Sequence, residues 1–552
     1  MKVNLLQIVL LVMINSCLSS AQSEIAYLKK KGSATQLMVN NEPFLMIAGE
    51  VHNSSASTEK YMEPLFPKLK AMNLNSVFVT LAWEQFEPEE GVYDYSLVEA
   101  IIDNARENDL KLCLLWFASW KNGESSYAPL WVKKDTKRFF RVKTKEGKSV
   151  EVLSPFCEAT KKADAKAFGK LMQHIKAYDK EQTVILMQPQ NEVGMFQDID
   201  YNTIALERYE QSVPEELMTY LTKNKKRLKS YLKDAWATSN YKRRGTWKEV
   251  FGNTPESKTF FTTWQYATYI NYVAKSGREQ YNLPMMVNAW IVQKPKDLPG
   301  VYPNGGPVAR VMDVWKAAAP DIDILSPDIY LPNFKEIIAT YHREDNPLLV
   351  PESTAEVGRA YYAFGQHDAI CFSPFGIEDA ADNLVFTESY KVLKETQHLI
   401  KQYQGTGNMV AVLQEGKETS ETLSLGDFNL RVEYEKPNEP SFGIIIKTSK
   451  DEFTVIGMNL TVFFSSRLKN TTGYIGQVWE GGFENKKWVP TRLMNGDETY
   501  HNSRLRVFGR RIQTTQSIVK NDKKEGEPDA YSPATKETIA TPGVYRVITY
   551  NR

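Results

Sequence analysis

The chain has 552 residues, 42% of them hydrophobic and 24% charged, with a formal net charge of +1. That length exceeds one ordinary domain and accommodates a barrel of about 250 to 400 residues with a smaller module beside it. Balanced charge excludes the strongly basic class that binds nucleic acid, and the apolar content is that of a globular protein rather than a disordered one.

At the N-terminus Lys2 precedes the apolar stretch Leu5 to Ile14, too short to span a bilayer and suited to the core of an export signal. The string Ile14-Asn15-Ser16-Cys17 that follows resembles a bacterial lipobox, with Cys17 as the residue to be acylated and Asn15 as a departure from the usual small residue. Cleavage after Ala21 is the alternative. Residues 1–21 are therefore expected to be a signal, and the protein to be exported, periplasmic or tethered to a bacterial membrane through Cys17. Substituting Cys17 by Ser should move the protein from the membrane fraction to the soluble one. A wild-type protein that is already soluble and begins at Gln22 would contradict the anchor.

Three further cysteines, Cys113, Cys157 and Cys371, are odd in number and two lie in apolar runs, so they read as buried thiols rather than a disulfide framework. Six histidines, none in a Cys/His cluster at ligand spacing, give no reason to expect a metal, and no cofactor is expected.

Between about residues 36 and 375, β-prone apolar runs alternate with amphipathic helical stretches. The runs are Phe44–Ala48, Ser76–Leu81, Leu110–Trp116, Val184–Met187, Met285–Asn288, Ile322–Leu325, Leu348–Val350 and Ala369–Phe372. They are continuous rather than alternating, as strands buried on both faces are. Eight in order predict an α/β fold, a (β/α)8 TIM barrel, over residues 24–395. Beyond about residue 400, short alternating runs punctuated by Gly, Asn and Asp predict a C-terminal antiparallel β-sandwich domain over 400–552. The charged stretch Lys520 to Glu537 reads as an exposed loop.

Two strand ends carry chemistry. Gln188-Pro189-Gln190-Asn191-Glu192 follows the fourth run, and Pro351-Glu352-Ser353 follows the seventh. In a barrel of this kind the C-terminal ends of the strands hold the active site. Two carboxylates there are what glycoside hydrolysis needs, one to protonate the leaving oxygen and one to attack or to activate water. The other strand ends add Glu50 and His52, Trp83, Trp116 and Trp120, Trp290, Tyr330 and Phe375. Any one Trp is more often core than platform, but as a set these residues predict a cup with stacking walls and hydrogen-bonding corners, suited to a pyranose.

The strings Asn75-Ser76-Val77 and Thr80-Leu81-Ala82-Trp83-Glu84-Gln85-Phe86-Glu87-Pro88, then Gly91-Val92-Tyr93-Asp94-Tyr95, resemble the second-strand signature of the large retaining glycosidase clan. Together with Asn191-Glu192 and Pro351-Glu352-Ser353, the resemblance is closest to β-galactosidases of glycoside hydrolase family 35. Two positions depart from that pattern. Gly49-Glu50-Val51-His52 stands where a Gly-Ser-x-His string is usual, and Phe86 replaces a histidine before Glu-Pro, which marks a divergent branch.

The resemblance implies Glu192 as the acid/base, Glu352 as the nucleophile and Asn191 as a hydrogen-bond partner of the sugar 2-hydroxyl. It implies a retaining, exo-acting β-galactosidase that releases terminal β-galactosyl residues from oligo- or polysaccharides, whose partner is a carbohydrate and which needs no cofactor. Alternatives are a related retaining glycosidase for β-glucosyl or α-L-arabinopyranosyl substrates, or a barrel that binds glycan without cleaving it.

Overall fold

The computed structural model describes residues 25–435, 440–494, 496–513 and 538–552. The export signal with Cys17, and the stretch Lys520 to Glu537, lie outside the described residues. Among the described residues no helix is long and apolar enough to cross a membrane.

A small antiparallel sheet of Tyr27–Lys31, Ala34–Val39 and Glu42–Phe44 comes first. Eight parallel strands follow: β1 (Met46–Glu50), β2 (Ser76–Ala82), β3 (Lys111–Lys121), β4 (Val184–Asn191), β5 (Met286–Trp290), β6 (Ile324–Ile329), β7 (Leu349–Val350, resuming at Glu352–Ser353) and β8 (Cys371–Phe372). Each pairs with the next, β4 meeting β5 through the bridge Met187–Met285, and β8 pairs back onto β1. The pairings thus return to their start, as a barrel requires.

After each strand a principal helix covers the outside: α1 (Leu65–Ala71), α2 (Ser96–Glu107), α3 (Glu158–Tyr178), α4 (Pro255–Arg278), α5 (Met312–Ala318), α6 (Phe334–Tyr341), α7 (Val357–His367) and α8 (Leu384–Tyr403). In α2 the buried residues Val98, Ile101, Ile102 and Ala105 follow the helical period and make one apolar stripe against the sheet. All seven residues of β2 are buried, because side chains on one side fill the lumen while those on the other meet helices.

All eight expected strands are present in order, with shifted ends. β3 runs on to Lys121, five residues past the expected end at Trp116, through an irregular pairing with β4. The loop between β3 and α3 contains the hairpin Arg141–Lys143 and Ser149–Leu153. Helix α8 runs through the boundary expected between 395 and 400.

Beyond α8, a six-stranded antiparallel sheet (Met409–Leu413, Phe442–Lys447, Glu452–Met458, Gly543–Asn551, Gly473–Glu484 and Lys487–Met494) faces a four-stranded one (Ser420–Leu425, Phe428–Tyr434, Leu460–Ser466 and Leu505–Val507). One apolar core lies between them, with Val412, Ile445 and Val455 from the first sheet meeting Leu430, Val432 and Val462 from the second. Side chains alternate along a strand, so Ala411, Leu413, Ile444 and Ile446 point the other way and join the barrel's core. Gly358 and Gly365 of α7 permit this approach, since a Cβ at either would come within 3 Å of Leu413 and Phe442, or of Ala411 and Ile444.

Candidate active site

Glu192 leaves the end of β4 with φ of +44°, a left-handed conformation uncommon for a residue with a side chain. Its backbone N–H donates to Asn288 Oδ1 of β5 at 2.9 Å, which holds the turn. Glu352 stands on β7, in register with Asp328 of β6. Oxygens of Glu192, Asp328 and Glu352 all lie within 4.8 Å of one another, at the C-terminal ends of their strands.

Asn288 is the hub of this group. Its Nδ2 lies 2.8 Å from Asn191 Oδ1, 2.9 Å from Asp328 Oδ2 and 3.2 Å from Glu352 Oε1, so its two hydrogens are shared among three acceptors. Gln188 Nε2 also donates to Asn191 Oδ1, at 2.9 Å. Tyr330 lies two residues beyond Asp328 and donates its hydroxyl to the second oxygen of Glu352 at 2.8 Å. The same three carboxylates are near enough to ligate a cation. The hydrogens of Asn288 and Tyr330 instead point at Glu352, which suits a hydrogen-bonded anion better than a metal ligand.

The electrostatics divide the acids. Burial and then the charge of Glu352 push Glu192 up to about 8, against smaller opposing effects of a hydrogen bond with Asp328 and the charge of Lys121. Burial also raises Glu352, but Lys121, Tyr330 and Asn288 all favour its ionised form. Glu50, fully buried at the end of β1, and Asp328 are both held well above the usual carboxylate range, by burial first and Glu352 second. Burial and the charge of Glu352 thus favour the protonated forms of Glu192, Glu50 and Asp328, while Lys121, Tyr330 and Asn288 favour the ionised form of Glu352, the separation of acid from nucleophile that paired carboxylates need. Glu50 Oε1 and Asp328 Oδ1 are buried without a partner.

Of the residues expected from the sequence, Glu192, Glu352, Asn191, Glu50 and Tyr330 come together. His52 and Phe375 sit beside them, ring centroids 5.3 Å apart and edge to face, with His52 Nε2 at 2.9 Å from Asp379. Trp290 packs edge-on to Phe196 with centroids 5.8 Å apart.

Three tryptophans depart from expectation. Trp83, Trp116 and Trp120 are fully buried and cannot stack on a sugar. Trp116 faces the helix layer, with its indole N–H on Asp164 Oδ1 of α3 at 2.9 Å and its ring against Phe86 and Phe168. Trp83 donates to Glu87 Oε2 at 2.7 Å, and Trp120 to the carbonyl of Leu153 at 2.9 Å, between Tyr266 and Tyr269. Their satisfied indole nitrogens belong to the core.

Asn288, Asp328, Gln188 and Lys121 were not among the expected site residues. Asn288 and Asp328 were legible as polar residues in strands five and six. Lys121 was not, because the irregular end of β3 hides which side its residues face.

Residues 36–285 match the model of the glycosyl hydrolases family 35, and residues 386–506 match a model described as a domain of unknown function, DUF5597. Beta-galactosidase 14 of Arabidopsis thaliana is 26% identical over 200 residues, 34% of this chain and 21% of that protein. The chain thus spans about a fifth of the curated relative it matches. Among solved structures, the β-galactosidase of Bacillus circulans sp. alkalophilus has a TM-score of 0.43 at 15% identity, covering 66% of this chain and 57% of that one. That of Rahnella sp. R3 has 0.45 at 14%, covering 68% and 58%.

Fold and site define an α/β barrel with clustered carboxylates at the C-terminal ends of its strands. The segment 36–285 is similar to the glycosyl hydrolases family 35, and the match ends before Asn288, Asp328 and Glu352.

Proposed function

We propose that the protein is a retaining, exo-acting β-galactosidase that releases terminal β-galactosyl residues by double displacement. The observation that carries this reading is the approach of Glu192 and Glu352 oxygens to within 4.8 Å. Retaining enzymes hold their two carboxyl groups about 5 to 5.5 Å apart, whereas inverting enzymes leave roughly 6.5 to 9.5 Å for a water.

Glu352, kept ionised by Asn288 and Tyr330, attacks the anomeric carbon while protonated Glu192 gives its proton to the departing oxygen. Burial is the first cause of the raised pKa of Glu192 and the charge of Glu352 the second, and forming the glycosyl ester removes that charge. Glu192 can then act as base and activate the water that releases the sugar. Asn191 has its Oδ1 occupied, while Nδ2 shares one contact with Asn122 at 3.3 Å and retains a hydrogen for the sugar 2-hydroxyl. Burial of both glutamates supports an enclosed cup for a chain end rather than an open groove.

The galactosyl preference is supported by the family-35 match and by the named activity of the plant relative. Export and lipid anchoring at Cys17 remain part of the reading.

A panel of chromogenic aryl glycosides tests it. The β-galactoside is expected to give the highest kcat/KM, with the α-L-arabinopyranoside next because it lacks only the C6 carbon. A highest value for the β-glucoside would change the sugar, and no cleavage of any member would leave a binding barrel.

A further inference from the structure

We infer that Phe196 and Trp290 form a platform for the sugar on the leaving-group side, so that the natural substrate is an oligo- or polysaccharide rather than a small galactoside. This rests on the hydrolase reading above and extends it to the second sugar. The proton donor of a glycosidase must face the departing oxygen, so the residues flanking Glu192 outside the cup line the path of the leaving group.

Phe196 follows Glu192 by four residues and is 43% exposed. Its place is set by Gly123, whose N–H donates to the Glu192 carbonyl at 3.1 Å and where a Cβ would come within 2.9 Å of the Phe196 ring. Trp290, at the end of β5, supports the same ring edge-on. Tyr330, by contrast, is engaged by its hydrogen bond to Glu352.

The loop after Trp290 packs at Gln197, where a Cβ on Gly300 would lie 3.1 Å from the Gln197 α-carbon, and it exposes Leu298 and Val301 at 63% each. Exposed apolar residues grouped on loops next to a catalytic site suit a binding surface. Flat aromatic faces there suit the C–H face of a neutral pyranose, and the side chains beyond suit the next unit.

The experiment compares β-linked galactobioses with β-galactosyl fluoride, whose leaving group is too small to reach the platform. Phe196→Ala should lower the ratio of kcat/KM for disaccharide over fluoride by about three- to tenfold, and Phe196→Tyr should restore it. An unchanged ratio overturns the platform. Calorimetric binding of the same galactobioses to Glu352→Gln, with and without Phe196→Ala, reads the platform without turnover. Binding weakened by a similar factor supports it, and equal binding overturns it. If the wild type cleaves neither fluoride nor any aryl glycoside, the hydrolase reading fails while this binding comparison still decides the platform.

Discussion

Replacing Glu352 by alanine is expected to lower kcat/KM by roughly four to six orders of magnitude for every substrate, whatever its leaving group, because the attacking atom is gone. Glu192→Ala should behave differently. For a poor leaving group the loss should be about 10² to 10⁴-fold, the usual contribution of a proton donor. For dinitrophenyl β-galactoside the first step should survive, since dinitrophenolate departs without a proton. The glycosyl ester on Glu352 would then accumulate, seen as a burst of dinitrophenolate followed by slow turnover.

Azide separates the two roles by stereochemistry. It needs no base, so it should rescue Glu192→Ala and yield the β-galactosyl azide, with configuration retained through two inversions. With Glu352→Ala, azide should enter the emptied space and attack the substrate directly, yielding the α-azide. The α-azide from Glu192→Ala and the β-azide from Glu352→Ala would reverse the assignment.

The pH dependence follows from the same pair. Glu192 must be protonated in the first step and its pKa is pushed up to about 8, so kcat/KM should fall as pH rises through that value. Glu352 must be ionised, and burial raises it, so the acid limb should begin above the ordinary carboxylate range. With dinitrophenyl β-galactoside, Glu192→Gln should lose the basic limb and keep the acid one. A basic limb that persists would assign it to another group.

Stability should follow with a definite sign. Folded Glu192 holds its proton more tightly than an unfolded glutamate of pKa about 4.3. Its contribution is fully present below that pH and is lost as pH rises through about 8. Glu192→Gln, a neutral isostere, should therefore raise the melting temperature relative to wild type at pH 9, and much less at pH 5.

Much of the molecule is legible in its sequence. The barrel strands appear as continuous apolar runs because both faces of a parallel sheet are covered, and the strands after residue 409 appear as short alternating or apolar runs separated by turn residues. Glu192 and Glu352 stood out because each follows such a run directly. Trp83, Trp116 and Trp120 misled for a related reason. A tryptophan near a strand end can face the lumen, the rim or the helix layer, and one residue of shift changes which.

The sequence by itself determined the order of the βα units, the change to antiparallel sheet, and the two glutamates placed at strand ends, since period and neighbouring residue type are local properties. Only the tertiary structure decided that these glutamates, 160 positions apart, share one hydrogen-bonded group around Asn288, with Asp328 and Glu50 beside them and Lys121 facing them. That arrangement depends on the pairing register of strands around a barrel, on the irregular end of β3 and on the left-handed turn at Glu192. Each of these is settled by contacts between segments far apart in the chain, and no local pattern of residues encodes them.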